Sequence, residues 1–368
     1  MNILLTQLLN SPGLSINLSD EAWDIVIPQA RNTALLGSLY ARLDNAGLLD
    51  KIPEKVSRHM LSAFRVHEKQ QQNLMYEVKW LTRALSECDG RLILLKGAAY
   101  IVASLPVSAG RLISDIDFLV PRNALKQTEK SLNHYGWDAG EIDPYDERYY
   151  REWMHEIPPM GHEERESTID VHHTILPPTS NTQLDSRKLF EEAVNIKNGT
   201  YALSPVDMVI HSAAHLFHEG EFTHGLRDLL DLDGLMRHFS QSEAQFWENL
   251  LPRALEFHLV KPLYYALRYC QYFFETPVPD EVILSIKPYS PGKFHRSTMD
   301  YIFIRAFMPD HASCHLAWTG LARYFLYVRS HYLRMPLHLL VPHLLKKWRR
   351  GRLVRNDASA TDVDNTEQ

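Results

Sequence analysis

Gly110-Arg111-Leu112-Ile113-Ser114-Asp115-Ile116-Asp117-Phe118-Leu119-Val120 carries two acids, one residue apart, at the head of an apolar run closed by Pro121. Residues 116–120 are of strand length and composition, so a strand is predicted there. On a strand, side chains at i and i+2 share a face. Asp115 and Asp117 are therefore expected side by side, and two such carboxylates repel unless a cation lies between them. Mg²⁺ or Mn²⁺ suits them, because a hard ion binds carboxylates and leaves positions open for phosphate oxygens.

A third acid completes such a set. Thr168-Ile169-Asp170-Val171-His172 places a single carboxylate in an apolar strand predicted over residues 167–175. Asp170 is expected to serve as a ligand of the same cation cluster or as a general base. His172 shares the strand face of Asp170 and is expected near the site; His173 faces away.

Upstream, Leu94-Leu95-Lys96-Gly97-Ala98-Ala99 reads as a strand, a glycine and a helix start. A glycine lets backbone approach an anion, and a helix N-terminus offers free N–H donors. Lys96, Gly97, Arg111 and Ser114 are the candidate contacts for substrate phosphates. The Gly-x-x-x-x-Gly-Lys pattern of a P-loop is absent.

Working outward, residues 89–178 alternate strand, helix, strand, helix, strand and define a small mixed-sheet unit. Residues 138–166, with Pro144, Pro158 and Pro159, read as irregular or as short hairpin strands. Residues 1–88 are predicted helical, with Ser19 or Asp20 capping a first helix. Met60, Leu61, Phe64, Leu74, Met75, Val78, Leu81 and Leu85 mark the buried face of a long helix. His67 interrupts that stripe, and a bend or break is expected beside it. Residues 179–355 are predicted helical over 205–240, 243–275 and 296–350. The polar residues 356–368 are expected to be disordered. The fold class is therefore α+β: a small mixed-sheet core flanked by N-terminal and C-terminal helical regions.

Of the 368 residues, 45% are hydrophobic and 23% charged, the balance of a globular protein with a sizeable core. The net charge of −6 does not mark the whole chain as a nucleic-acid binder. The three cysteines are far apart and form neither a disulfide framework nor a cysteine zinc site. With no signal-peptide pattern and no apolar run long enough to span a bilayer, a cytoplasmic location is expected.

Two further features are open to more than one reading. His211, His215 and His218 share one helix face, with Glu219 following. A metal site or a cleft lining is conceivable, but buried histidines bonded to acids such as Asp228 and Asp231 are the favoured reading. Leu337 to Leu345 lead into Lys346-Lys347-Trp348-Arg349-Arg350-Gly351-Arg352. That segment suits peripheral contact with an anionic inner-membrane surface, contact with RNA, or a solvated helix end.

The set Leu95-Lys96-Gly97, then Arg111 and Ser114-Asp115-Ile116-Asp117-Phe118-Leu119-Val120, then His155 and Ile169-Asp170-Val171-His172 resembles the polymerase-β-type nucleotidyltransferase superfamily. Within it the chain is similar to an uncharacterised nucleotidyltransferase family, distantly related to the toxin nucleotidyltransferases of abortive-infection systems. The likeness extends over residues 15–240, including the histidine-rich helix and Leu226-Arg227-Asp228-Leu229. It departs from the superfamily at Lys96-Gly97-Ala98, where a Gly-Gly or Gly-Ser pair is usual. The resemblance implies transfer of a nucleoside monophosphate from an NTP, with release of pyrophosphate, and specifies no acceptor; a saccharide, a protein and RNA are all left open. A catalytically silent nucleotide-binding scaffold of an envelope-polysaccharide cluster and a toxin-like tRNA-modifying enzyme are the alternatives.

Overall fold

The computed structural model describes residues 3–342 apart from 87, 89, 90, 198 and 219, together with 344 and 346. The expected disordered tail, and the basic segment beyond Lys346, lie outside the described residues.

The chain opens with helices α1 (Leu4–Asn10), α2 (Asp20–Asn32), α3 (Leu36–Asn45) and α4 (Glu54–Leu85). Ser19 caps α2, its hydroxyl accepting from the Ala22 N–H at 3.3 Å. The predicted break at His67 does not occur: α4 is one helix of 32 residues. His67 stays on the buried face because its Nδ1 donates to the Arg111 carbonyl at 2.9 Å, so the apolar stripe is interrupted by a satisfied polar contact.

The sheet follows. Strand β1 (Ile93–Leu94) leads into α5 (Lys96–Val102), then β2 (Ile116–Leu119), α6 (Leu125–His134) and β3 (Trp137–Asp138). The proline-rich stretch forms a short helix α7 (Pro144–Arg148), a π-helical turn over Tyr149–Trp153 and β4 (Met160–His162). Strand β5 (Thr168–His172) carries the third acid. After α8 (Arg187–Glu191) come β6 (Val194–Lys197) and β7 (Thr200–Ala202). The sheet therefore continues past residue 178 into a span expected to be helical. The strand order is β3-β4-β5-β2-β1-β7-β6. Strand β2 lies between parallel β5 and antiparallel β1, and β7 joins β1 in parallel.

The C-terminal helices are α9 (Pro205–His218), α10 (Gly225–Ser242), α11 (Phe246–Glu256), α12 (Val260–Phe274), α13 (Asp280–Ile286), α14 (Lys293–Phe307) and α15 (Thr319–Arg334). The three long helical stretches expected here are each divided, with 220–224, 257–259 and 308–318 among the joints. No helix among the described residues is long and apolar enough to cross a membrane.

One apolar core runs through all three regions. Leu39 and Leu81 from the N-terminal helices, Phe118 and Val171 from the sheet, and Leu229 and Phe273 from the C-terminal helices are all essentially inaccessible to solvent. The helices press directly on the segment before β2. Gly110 has φ +73°, and a Cβ there would lie 2.1 Å from the Gly37 carbonyl oxygen of α3. Only glycine tolerates both the conformation and the contact.

Candidate active site

Strands β2 and β5 bring the acids together. Asp117 and Asp170 are directly paired across these parallel strands, so their side chains leave the same face. Asp115 stands one residue before β2 begins, at the lip of the site rather than within the strand. Asp117 is buried, whereas Asp115 and Asp170 are half-buried.

Each carboxylate has a different electrostatic setting. Burial alone would raise Asp117, but the Lys96 ammonium and a hydrogen bond from His172 hold it well below the usual carboxylate range. The Lys96 Nζ donates to Asp117 Oδ1 at 2.9 Å, and His172 Nε2 donates to the same oxygen at 3.0 Å. Asp115 is raised by burial and by Asp117, with Lys96 and Ser114 opposing. Asp170 is pushed up to about 7 by burial and by the charges of Asp117, Glu156 and Asp115. Its Oδ1 is buried and has no hydrogen-bond partner among the described residues. An orphaned carboxylate oxygen beside two further acids is the setting a cation would relieve.

The cleft beside Asp115 and Asp117 is lined by Lys96, Gly97, Arg111 and Ser114 from the core, and by Ser212, His215, Arg227, Asp228 and Asp231 from α9 and α10; Asp170 stands next to Asp117 and is not one of its lining residues. Lys96 holds its position with φ +45°, a strained backbone for a lysine. Ser114 is exposed at the mouth. Arg111 is turned inward: its Nε donates to Asp231 Oδ2 at 2.7 Å and one Nη donates to the Leu112 carbonyl at 3.2 Å.

Gly97 owes its identity to that arginine. A Cβ at position 97 would stand 2.1 Å from Arg111 Nη1 and 2.8 Å from Ile113 Cγ2. The sequence suggested an open approach for an anion; in the structure the guanidinium fills that space. Gly97→Ala is expected to destabilise the fold by about 1–3 kcal/mol through overpacking, read as a lower urea midpoint with an unchanged slope. An unaltered midpoint would mean that Arg111 relocates freely.

Long helix α4 buttresses the motif from behind. His67 takes the Arg111 carbonyl, and the Gln70 side-chain oxygen accepts from the Ile113 N–H at 3.1 Å. Sequence reasoning did not assign these two positioning residues, although a polar residue inside an apolar stripe was the signal for His67. It also did not assign Glu156, whose carboxylate lies 3.5 Å from His172 Nε2.

The histidine face of α9 divides. His218 Nδ1 donates to the Ala214 carbonyl at 2.8 Å. His215 lines the cleft, where burial and the Lys96 charge push it well below its ordinary value and keep it neutral. His211 is buried and is pushed down to about 3, chiefly by burial. The two acids expected to bind these histidines have arginine partners: Asp231 pairs with Arg111 and Asp228 with Arg227. His173, as expected, points away, its Nε2 donating to the Met154 carbonyl.

Strands β2 and β5 thus hold Asp117 and Asp170 in register, and Lys96, at the strand–helix junction after β1, pairs with Asp117. The chain belongs to the family described as uncharacterised nucleotidyltransferases, whose model matches residues 19–275. The match spans α2 to the end of α12, so the family unit includes both the sheet and the helices that close the cleft. No curated protein and no solved structure matches the chain.

Proposed function

We propose that this chain transfers a nucleoside monophosphate from an NTP to an acceptor hydroxyl or phosphate, using Mg²⁺ or Mn²⁺ held by Asp115, Asp117 and Asp170. The observation that carries the reading is the paired register of Asp117 and Asp170, with Asp115 beside them and Asp170 Oδ1 unsatisfied. The charge of the cleft supports a cation as well. The acids lining it, Asp115, Asp117, Asp228 and Asp231, outnumber the cations Lys96, Arg111 and Arg227. A polyanionic nucleotide would meet net repulsion there without a divalent ion.

When bound, such an ion polarises the α-phosphate and neutralises charge on the departing pyrophosphate. The chain's own groups do the rest. Asp170 takes the proton of the attacking acceptor oxygen; that oxygen forms a bond to the α-phosphorus, and the bond to the bridging oxygen breaks to release pyrophosphate. Lys96 and Ser114 steady the phosphates. The cleft measures about 170 Å³, below the roughly 300 Å³ at which small-molecule sites begin. It suits the phosphate chain, with the sugar and base over its mouth.

The test is incubation with each labelled NTP, Mg²⁺ or Mn²⁺ and a cell lysate. Label on one macromolecular class, with pyrophosphate released, is the expected result. Nucleotide binding without pyrophosphate release would overturn the reading in favour of a silent module.

Asp170 also gives a pH dependence. With a carboxyl titrating at about 7, a cation must displace a proton at lower pH. Mg²⁺ affinity is expected to rise about tenfold per pH unit up to neutrality and to level above it. Calorimetric titration from acid to mildly alkaline pH checks this; an affinity flat across neutrality would contradict it.

A further inference from the structure

Behind Asp117 lies a second group of side chains that nucleotidyl transfer does not use. The segment leading to β4 runs antiparallel to β5: Glu156 bridges His172, the Ile157 N–H donates to the Val171 carbonyl, and the His173 N–H donates to the His155 carbonyl. This backbone ladder fixes His155 and Glu156 opposite His172. One ligand atom from each of the three lies within 4.8 Å of the others.

The spacing is informative. Glu156 Oε2 stands 3.5 Å from His172 Nε2 and 3.7 Å from His155 Nε2. Both gaps exceed the 2.7–3.2 Å of an N–H···O hydrogen bond. Both are close to the edge of a tetrahedron whose nitrogen and oxygen ligands sit about 2.0–2.1 Å from a central ion, an edge of roughly 3.3 Å. The third edge is at most 4.8 Å. His172 is almost fully buried, and the other two side chains are mostly so.

We propose that His155, Glu156 and His172 form a second cation site, selective for a zinc-class transition-metal ion and distinct from the carboxylate triad. Two imidazoles and one carboxylate are the ligands such an ion prefers, whereas Mg²⁺ demands six oxygen ligands. The site shares a wall with the triad: His172 Nε2 is 3.0 Å from Asp117 Oδ1. An ion on that nitrogen takes the place of the proton it donates to Asp117, so loading the site exchanges a hydrogen bond on Asp117 for the charge of the ion. The proposal does not depend on nucleotidyl transfer, since the ligands are defined by their own geometry.

The probe is Co²⁺ added to full-length protein first dialysed against a chelator. Visible absorption of tetrahedral Co²⁺ is expected at one ion per chain, and a large excess of Mg²⁺ should not remove it. Asp115→Asn and Asp170→Asn are expected to retain the spectrum. Glu156→Gln and His155→Ala are expected to weaken Co²⁺ binding by at least ~100-fold, at or beyond the top of the roughly 10–100-fold loss that follows removal of an outer-sphere partner. Thermal melts without metal establish that each variant folds, and His155→Ala serves if Glu156→Gln does not. Absence of the absorption in the wild-type chain would overturn the site. So would its persistence in both ligand variants, or its loss in Asp170→Asn alone, which would put the ion among the carboxylates. Co²⁺ binding with no label transfer would leave this site standing and count only against the proposed reaction.

Discussion

Asp117→Asn is expected to lower NTP turnover by at least ~10³-fold, the equivalent of about 4 kcal/mol of transition-state stabilisation. Asparagine keeps the shape of the side chain and loses the charge. Three things change together at this position. The cation site loses the carboxylate paired in register with Asp170. Lys96 loses the counter-charge that keeps its mostly buried ammonium protonated against the cost of burial. Asp170 loses the charge that, after burial, pushes it up most, so its titration should move down from about 7. The last effect separates a local change from general unfolding: carboxyl titration followed by NMR should report it in a variant with a native circular dichroism spectrum. Ser114→Ala, at the exposed mouth, is expected to cost less than ~10-fold because a single solvated hydroxyl contact is worth about 1 kcal/mol. Full pyrophosphate release by Asp117→Asn would remove the proposed reaction from this cleft.

The parts of this site legible in the sequence are those set by local periodicity. Asp117 and Asp170 each interrupt a short apolar run, and alternation along a strand fixes their faces without knowledge of the rest of the chain. Pairing the strands was a further step, and it placed the two acids in the same register. Asp115 was read as a strand residue, yet β2 starts at Ile116, a boundary that depends on where the ladder to β5 begins. Strands β6 and β7 escaped notice because they are short: β6 is the edge strand and largely exposed, so no apolar run marks it, and β7, inside it, has only three residues. Glu156 sits in a proline-rich stretch with no period, and only its backbone pairing with His172 reveals its place. Arg111 was legible as a cation beside the acids. Its commitment to Asp231, 120 residues away, is a tertiary fact that no local pattern contains.

That commitment leads to the largest expected effect on stability. The Arg111 guanidinium is buried, and the Asp231 carboxylate keeps it charged against the cost of burial. It also lies over the Tyr100 ring, 5.7 Å from its centroid. Asp231→Asn leaves an uncompensated cation inside the protein and is expected to destabilise it by about 3–5 kcal/mol. Arg111→Met leaves a buried acid instead. An acid can take up a proton, so this penalty should shrink as the pH falls. The double variant Arg111→Met with Asp231→Leu removes both charges and is expected to recover most of the lost stability, because an apolar pair of similar volume avoids desolvation altogether. Denaturant melts of the wild type, Arg111→Met, Asp231→Leu and the double variant complete the cycle. The recovered double variant then decides whether Arg111 also acts on the substrate. Arg111 lines the cleft as well as pairing with Asp231, so the folded double variant is expected to lose at least ~10² in kcat/KM, as for a lost charged contact to the transferring phosphates. Wild-type kcat/KM in that protein would make Arg111 a pillar between the sheet and α10 and leave the phosphates to Lys96 and Ser114.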